Sequence, residues 1–184
     1  KIQDNADCAG EKKKTNIAEY ILYMWQVEAM LRALNLDIRQ VDEKLIGSYR
    51  IDEVTAKEMH EWYENLIEMM RLEKVEKSGH IQVLKNDVNE LTELHFFLLH
   101  ETRDMRYQQI VAQAAANLVE FREKSGVDES VGDVELALNA LYGILMLRLE
   151  KKEISVQTEQ AVRTFSNMIA YLAARYNKME EEKN

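Results

Sequence analysis

The chain has no proline, one cysteine and only six glycines in 184 residues. At the usual ~5% a chain of this length would carry about nine prolines, so proline-rich linkers and proline-dependent turns are excluded. A lone cysteine, Cys8, excludes an intramolecular disulfide framework and any multi-cysteine zinc site. Long uncharged apolar runs are also missing. The two most apolar stretches are Ile17–Leu34 and Val134–Leu149. Glu19, Gln26, Glu28 and Arg32 interrupt the first; Glu135, Asn139 and Arg148 interrupt the second. Neither supplies the ~20 nearly uncharged residues that a membrane-spanning helix needs. No secretory apolar segment precedes Cys8, and a cytoplasmic location with no membrane partner is expected.

Basic charge is scarce too. Twenty-four lysines and arginines face 33 aspartates and glutamates, for a formal charge of −9. Binding along a phosphate backbone calls for a basic stripe, and the only dense one is Lys12, Lys13 and Lys14 in a polar N-terminal segment. That run reads as a solvated arm, and no nucleic-acid partner is expected. Residues 52–76 are the most acidic stretch, with eight acidic and three basic side chains. Such a face serves mainly solubility.

What is present is helical periodicity. Ile81, Leu84, Val88, Leu91 and Leu98 recur in threes and fours with His95 filling the gap. Tyr107, Val111, Ala114, Leu118 and Phe121 do the same, as do Val162, Phe165, Ile169, Leu172 and Tyr176. This is the pattern of one buried stripe on a helix. No sustained period-two run and no Asn-Gly or Asp-Gly hairpin turn occurs. Asn16 with Glu19, and Thr55 with Glu58, have capping-box spacing. Gly47, Gly79, Gly126 and Gly132 mark breaks between helices. A single 45-residue helix over 80–124 is improbable, so a turn is placed near Asp104 with that residue as cap.

These signals predict an all-α, single-domain bundle of six or seven helices over residues 16–177. A flexible arm (1–15) precedes it and a frayed charged tail (178–184) follows. The first and sixth helices, 17–34 and 134–149, are apolar around most of their circumference, which predicts a central buried pair. Gly143, in the middle of the sixth helix, loses roughly 1 kcal/mol relative to alanine. Close approach of another helix is the expected reason.

Three segments carry a family resemblance: Lys13-Lys14-Thr15-Asn16-Ile17-Ala18-Glu19-Tyr20-Ile21-Leu22-Tyr23-Met24-Trp25-Gln26, Glu61-Trp62-Tyr63-Glu64-Asn65-Leu66-Ile67, and Ala140-Leu141-Tyr142-Gly143-Ile144-Leu145 followed by Leu147-Arg148-Leu149. Together they resemble a Bacteroidetes family of small all-helical proteins labelled only as a domain of unknown function. The resemblance implies a helical bacterial domain and supplies no catalytic residue, cofactor or partner.

Glu28 is the most informative side chain. It falls among Ile17, Ile21, Met24 and Leu31 on the apolar side of its helix, with Arg32 at the i,i+4 spacing that permits pairing. Arg148 occupies a comparable position beside Leu141, Ile144 and Leu145. A structural ion pair in the interior is the expected arrangement, because an unpaired buried charge costs several kcal/mol. His95 is expected to be a hydrogen-bonded core residue. His60 and Glu64 form at most half of a metal site, and no Glu-x-x-His or His-Glu-x-x-His motif occurs. Neither a metal nor a cofactor is called for. Trp62 and Tyr63 read as core aromatics with the capacity to line a pocket. No catalytic residue is assigned.

Two functional expectations follow. The first is a non-enzymatic cytosolic interaction or scaffold protein that self-associates through helix faces, as a homodimer or with another protein partner. The alternative is a small-molecule-binding protein or enzyme. Its site would lie between the first, third, fourth and sixth helices and use Glu28, Arg148, His95, Trp62 and Tyr63.

Overall fold

The computed structural model describes residues 6–183, and among these the chain is helical throughout with no strand. The helices are α1 (Ala6–Thr15), α2 (Ile17–Ala33), α3 (Ile38–Lys44), α4 (Glu53–Leu72), α5 (Gln82–Phe96), α6 (Met105–Ser125), α7 (Asp133–Leu149) and α8 (Val156–Lys183). A 3₁₀ turn at Ile46–Ser48 follows α3, and a π turn at Phe97–Glu101 extends α5. Eight helices among the described residues exceed the expected six or seven. The additional one is α1, where an arm was expected. Lys12 and Lys13 place their ammonium groups 5.7 Å and 5.3 Å from the ring centroids of Tyr23 and Tyr20. Cation–π contacts thus bind to α2 the very lysines that read as solvated. The side chain of Cys8, with residues 1–5 and Asn184, lies outside the described residues. At the other end α8 continues to Lys183, past the expected limit near residue 177.

The helices group into two compact units. Among the described residues the first comprises 6–15 and 19–86, the second 16–18 and 87–183. In the first, α1 and α3 pack against α4. The buried residues of α4 are Met59, Tyr63, Leu66, Ile67 and Met70, the stripe expected of an amphipathic helix. Its N-cap is Asp52, whose carboxylate accepts the N–H groups of Val54 and Thr55 at 3.0 Å each. The helix therefore begins before the expected Thr55 box, because aspartate is the stronger cap.

In the second unit, α6, α7 and α8 pack on one another. Ala114 and Leu118 of α6, Ala137 and Ala140 of α7, and Phe165, Met168 and Leu172 of α8 form its buried layer. Both apolar helices of the sequence are strongly buried, α2 at Ile17, Ile21, Met24 and Leu31 and α7 at Val134, Leu136, Ala137 and Leu138; α2 lies mostly in the first unit and α7 in the second.

Helix ends depart from the glycine scheme. Gly126 does close α6 in the left-handed conformation, at φ 63°. Gly132 instead opens α7 as its N-cap. Lys74 and Lys151 adopt left-handed φ of 57° and 55° after α4 and α7. The N–H groups one residue on, Val75 and Lys152, bond back to Met70 and Leu147 at 2.9 Å. These are Schellman closures formed without glycine.

Candidate functional site

Glu28 occupies the buried stripe of α2 that runs Ile17, Ile21, Met24, Glu28, Leu31. Its side chain is 1% exposed, and its two oxygens have separate partners. Oε2 accepts from His80 Nδ1 at 2.5 Å, and Oε1 accepts the Ile81 N–H at 2.9 Å. The second bond caps the start of α5, so a residue from α2 serves as a helix cap in trans. His80 stacks on Trp25, with centroids 4.4 Å apart and planes 14° apart. One turn along α2, Arg32 donates from Nε and Nη2 to Val75 O at 3.2 and 2.9 Å and from Nη2 to Gly79 O at 2.5 Å. Glu28 and Arg32, whose spacing permits pairing, instead hold two parts of the 73–81 connection.

The other expected site residues are engaged elsewhere. Arg148 is exposed rather than interior, and its partner is Glu159 at 3.5 Å. It lies in the last turn of α7, where the chain emerges from the core. His95 is buried, and its Nδ1 lies 2.7 Å from the Tyr107 hydroxyl. Burial holds its pKa below the usual 6.5, with His100 adding to the shift and Asp133 opposing it. Burial likewise pushes the Tyr107 hydroxyl well up. Trp62 and Tyr63 meet edge-on at 4.8 Å, Tyr63 in the core and Trp62 half-buried. Of the five residues, these two alone contact each other among the ring and polar contacts described. His60 bonds Asp42 at 2.7 Å rather than joining Glu64. Among the described residues no group of three or more His, Cys, Asp or Glu side chains could hold a metal ion.

The structure also contains a site that was not expected. A cleft of about 610 Å3 lies along α6, α7 and the start of α8. Phe121, Ile144, Leu147, Val162 and Phe165 line it, and Asn117, Lys124, Ser155 and Thr158 supply polar groups. Phe121 and Phe165 lie 6.1 Å apart, tilted by 56°. Asn117 Nδ2 donates to Thr164 Oγ1 at 3.1 Å, tying α6 to α8. The Ser155 hydroxyl accepts the Thr158 N–H at 3.1 Å and so caps α8. Lys124 is paired with Glu120 at 2.5 Å.

Gly143 lines this cleft, and a Cβ added there would meet nothing within 4 Å. The expected close approach of another helix is absent. The glycine opens space instead. Volume, apolar walls and a few polar groups match the general build of a small-molecule site. The sequence signal was the helix-interior glycine itself, but sequence does not tell a tight contact from an open one.

Fold and cleft together define an all-α protein with a concave, largely apolar site in its second unit. No helix among the described residues is long and apolar enough to cross a membrane. The chain belongs to the family described as Domain of unknown function (DUF4924), whose model matches residues 7–183. No curated protein and no solved structure matches the chain.

Proposed function

We propose that the protein is a non-enzymatic binding module that takes an amphipathic small molecule in the cleft of α6, α7 and α8. Gly143 carries this reading. A glycine inside a helix loses about 1 kcal/mol relative to alanine, and here no packing contact requires it. What its missing side chain preserves is room in the cleft. The apolar rings and aliphatic groups suit the body of a ligand, while Asn117, Ser155 and Thr158 suit a hydrogen-bonding head. A bacterial cytoplasmic setting belongs to this reading on the strength of the sequence resemblance.

The test uses 1-anilinonaphthalene-8-sulfonate as probe, followed by thermal-shift screening of a metabolite panel. The folded protein should bind the dye saturably. Gly143→Leu should abolish that binding with helicity unchanged, while Gly143→Ala should retain most of it. Dye binding that Gly143→Leu leaves intact would remove the cleft from consideration.

Self-association is the second reading, supported by the exposure of Phe96 (54%) and Met105 (74%) on either side of the π turn. Exposed large apolar side chains of this kind occur at protein interfaces. Light scattering tests it: a dimer that Phe96→Ser with Met105→Ser dissociates is expected, and a monomer at high concentration would dismiss it.

A further inference from the structure

Two ionised side chains line the cleft of α6, α7 and α8, Glu120 and Lys124, and they are paired with each other at 2.5 Å. Both are largely exposed, so solvent weakens the pair and it adds little to stability. Its consequence for a ligand is a cancelled field. An anion attracted by Lys124 is repelled by Glu120 one turn away on α6, and a cation meets the reverse. Either ion would give up water to enter between apolar walls with no net charge to replace it.

Uncharged polar groups, by contrast, are present along the cleft. The Ser155 and Thr158 hydroxyls lie 2.9 Å apart. They carry two protons between them and only one fits in their mutual hydrogen bond, so the other is left to donate. Further along α8, Thr164 gives its hydroxyl proton to Ala161 O at 2.6 Å. Thr164 Oγ1 can therefore only accept from Asn117, at 3.1 Å, which places Nδ2 there and makes Oδ1 the acceptor side of the amide. Thr158 and Thr164 are about 9 Å apart along the axis of α8. Val162 lies between them, and Phe121 and Phe165 add ring surface.

We propose that this cleft selects uncharged amphiphiles with an aromatic body and polar groups that both accept and donate, a carboxamide being the simplest. The acceptor meets the Ser155 and Thr158 hydroxyls and the donor meets Asn117 Oδ1. The proposal rests on the reading of the cleft as a ligand site and adds the ligand's charge class. Fatty acids, organic phosphates and amines are selected against.

Three probes of one shape test it: 1-naphthaleneacetamide, 1-naphthaleneacetate and 2-(1-naphthyl)ethylammonium, each titrated while NMR follows the methyl groups of Ile144, which lines the cleft. The amide should bind saturably with Kd below about 1 mM, and both ions should bind at least about fivefold more weakly. Using both signs separates the local effect from the net charge of −9, which moves anion and cation in opposite directions. Glu120→Gln unpairs Lys124 and should strengthen binding of the carboxylate severalfold while leaving the amide within about twofold. Glu123→Gln removes the same charge from an exposed position outside the lining and should leave all three unchanged. Asn117→Ala should weaken the amide severalfold and leave the carboxylate, which has no donor to offer, as it was. Either ion binding as tightly as the amide would overturn the charge assignment while the cleft stands. So would silence from all three probes while anilinonaphthalenesulfonate still binds in a manner that Gly143→Leu abolishes. Loss of that dye binding as well would instead remove the cleft, and this proposal with it.

Discussion

His80 Nδ1 lies 2.5 Å from Oε2 of Glu28, a carboxylate that is 1% exposed on the core stripe of α2. An ionised carboxylate only accepts, so Nδ1 is a protonated ring position. Glu28 thereby holds a proton on His80 Nδ1 and caps the α5 entrance through Ile81 N–H. Glu28→Ala removes both bonds and should destabilise the protein by about 2–3 kcal/mol. Glu28→Gln should lose less, because its amide oxygen still accepts from Ile81. Its NH2 then faces Nδ1 and donates to it, which moves the ring proton to Nε2. Long-range 1H–15N spectra read the tautomer and urea unfolding reads the stability. An unchanged His80 tautomer in Glu28→Gln would contradict the assignment.

Gly143 supports a prediction independent of any ligand. Open space around the missing Cβ means that alanine meets no clash. Gly143→Ala should therefore stabilise the protein by about 0.5–1 kcal/mol, the full helix-propensity gain. Thermal and urea unfolding check this. Destabilisation would instead indicate the tight helix contact that a helix-interior glycine first suggests.

The regular parts of the chain were legible because they depend on local chemistry. The stripes of α5, α6 and α8 appear in the apolar spacing, and Asp104 caps α6 as expected, accepting the Tyr107 N–H at 3.0 Å. His95 is the hydrogen-bonded core residue that its place on the stripe predicts. The failures lie where long-range context decides. Glu28 was recognisable as a buried charge needing a partner, but His80 is 52 residues away and no local rule selects it. Lys74 and Lys151 end helices in a conformation that costs a non-glycine residue about 1–2 kcal/mol, which tertiary packing overrides. The same holds for α1, whose lysines look solvated until Tyr20 and Tyr23 are placed beneath them. Arg148 shows the converse error, since an apolar neighbourhood in sequence does not reveal that a helix end has left the core.

His95 gives the fold a pH dependence below neutrality. Its folded pKa is lowered from 6.5 chiefly by burial. The unfolded chain therefore binds the proton first as pH falls. The stability associated with neutral His95 is complete above about pH 6.5 and is lost as pH drops through the lower folded value. His95→Gln keeps a hydrogen-bonding partner for Tyr107 but does not titrate. Its unfolding free energy should fall less steeply than that of the wild type as pH drops below about 6.5. Parallel curves for the two proteins would show that His95 is not the group responsible.

Asp104 governs the more acidic range. Besides the Tyr107 N–H, its carboxylate accepts from the Tyr171 hydroxyl at 2.8 Å and from Arg175 Nη2 at 2.7 Å. The Arg175 hydrogen bond is the largest influence and the Tyr107 N–H the next; together they hold the carboxyl at about 2, below the ordinary 3.8. A depressed carboxylate contributes its full stability above the unfolded value and loses it as pH falls through the folded one. The wild type should therefore weaken between about pH 4 and pH 2 through this group. Asp104→Ala removes cap and ion pair together and should cost about 1–2 kcal/mol at neutral pH. Asp104→Asn keeps an oxygen for the Tyr107 N–H but gives up the charge that attracts Arg175, so its loss should be smaller. Urea unfolding as a function of pH distinguishes the two contributions. Both variants should have a shallower decline below pH 4 than the wild type, and an equally steep decline would show that Arg175 stabilises the fold without Asp104.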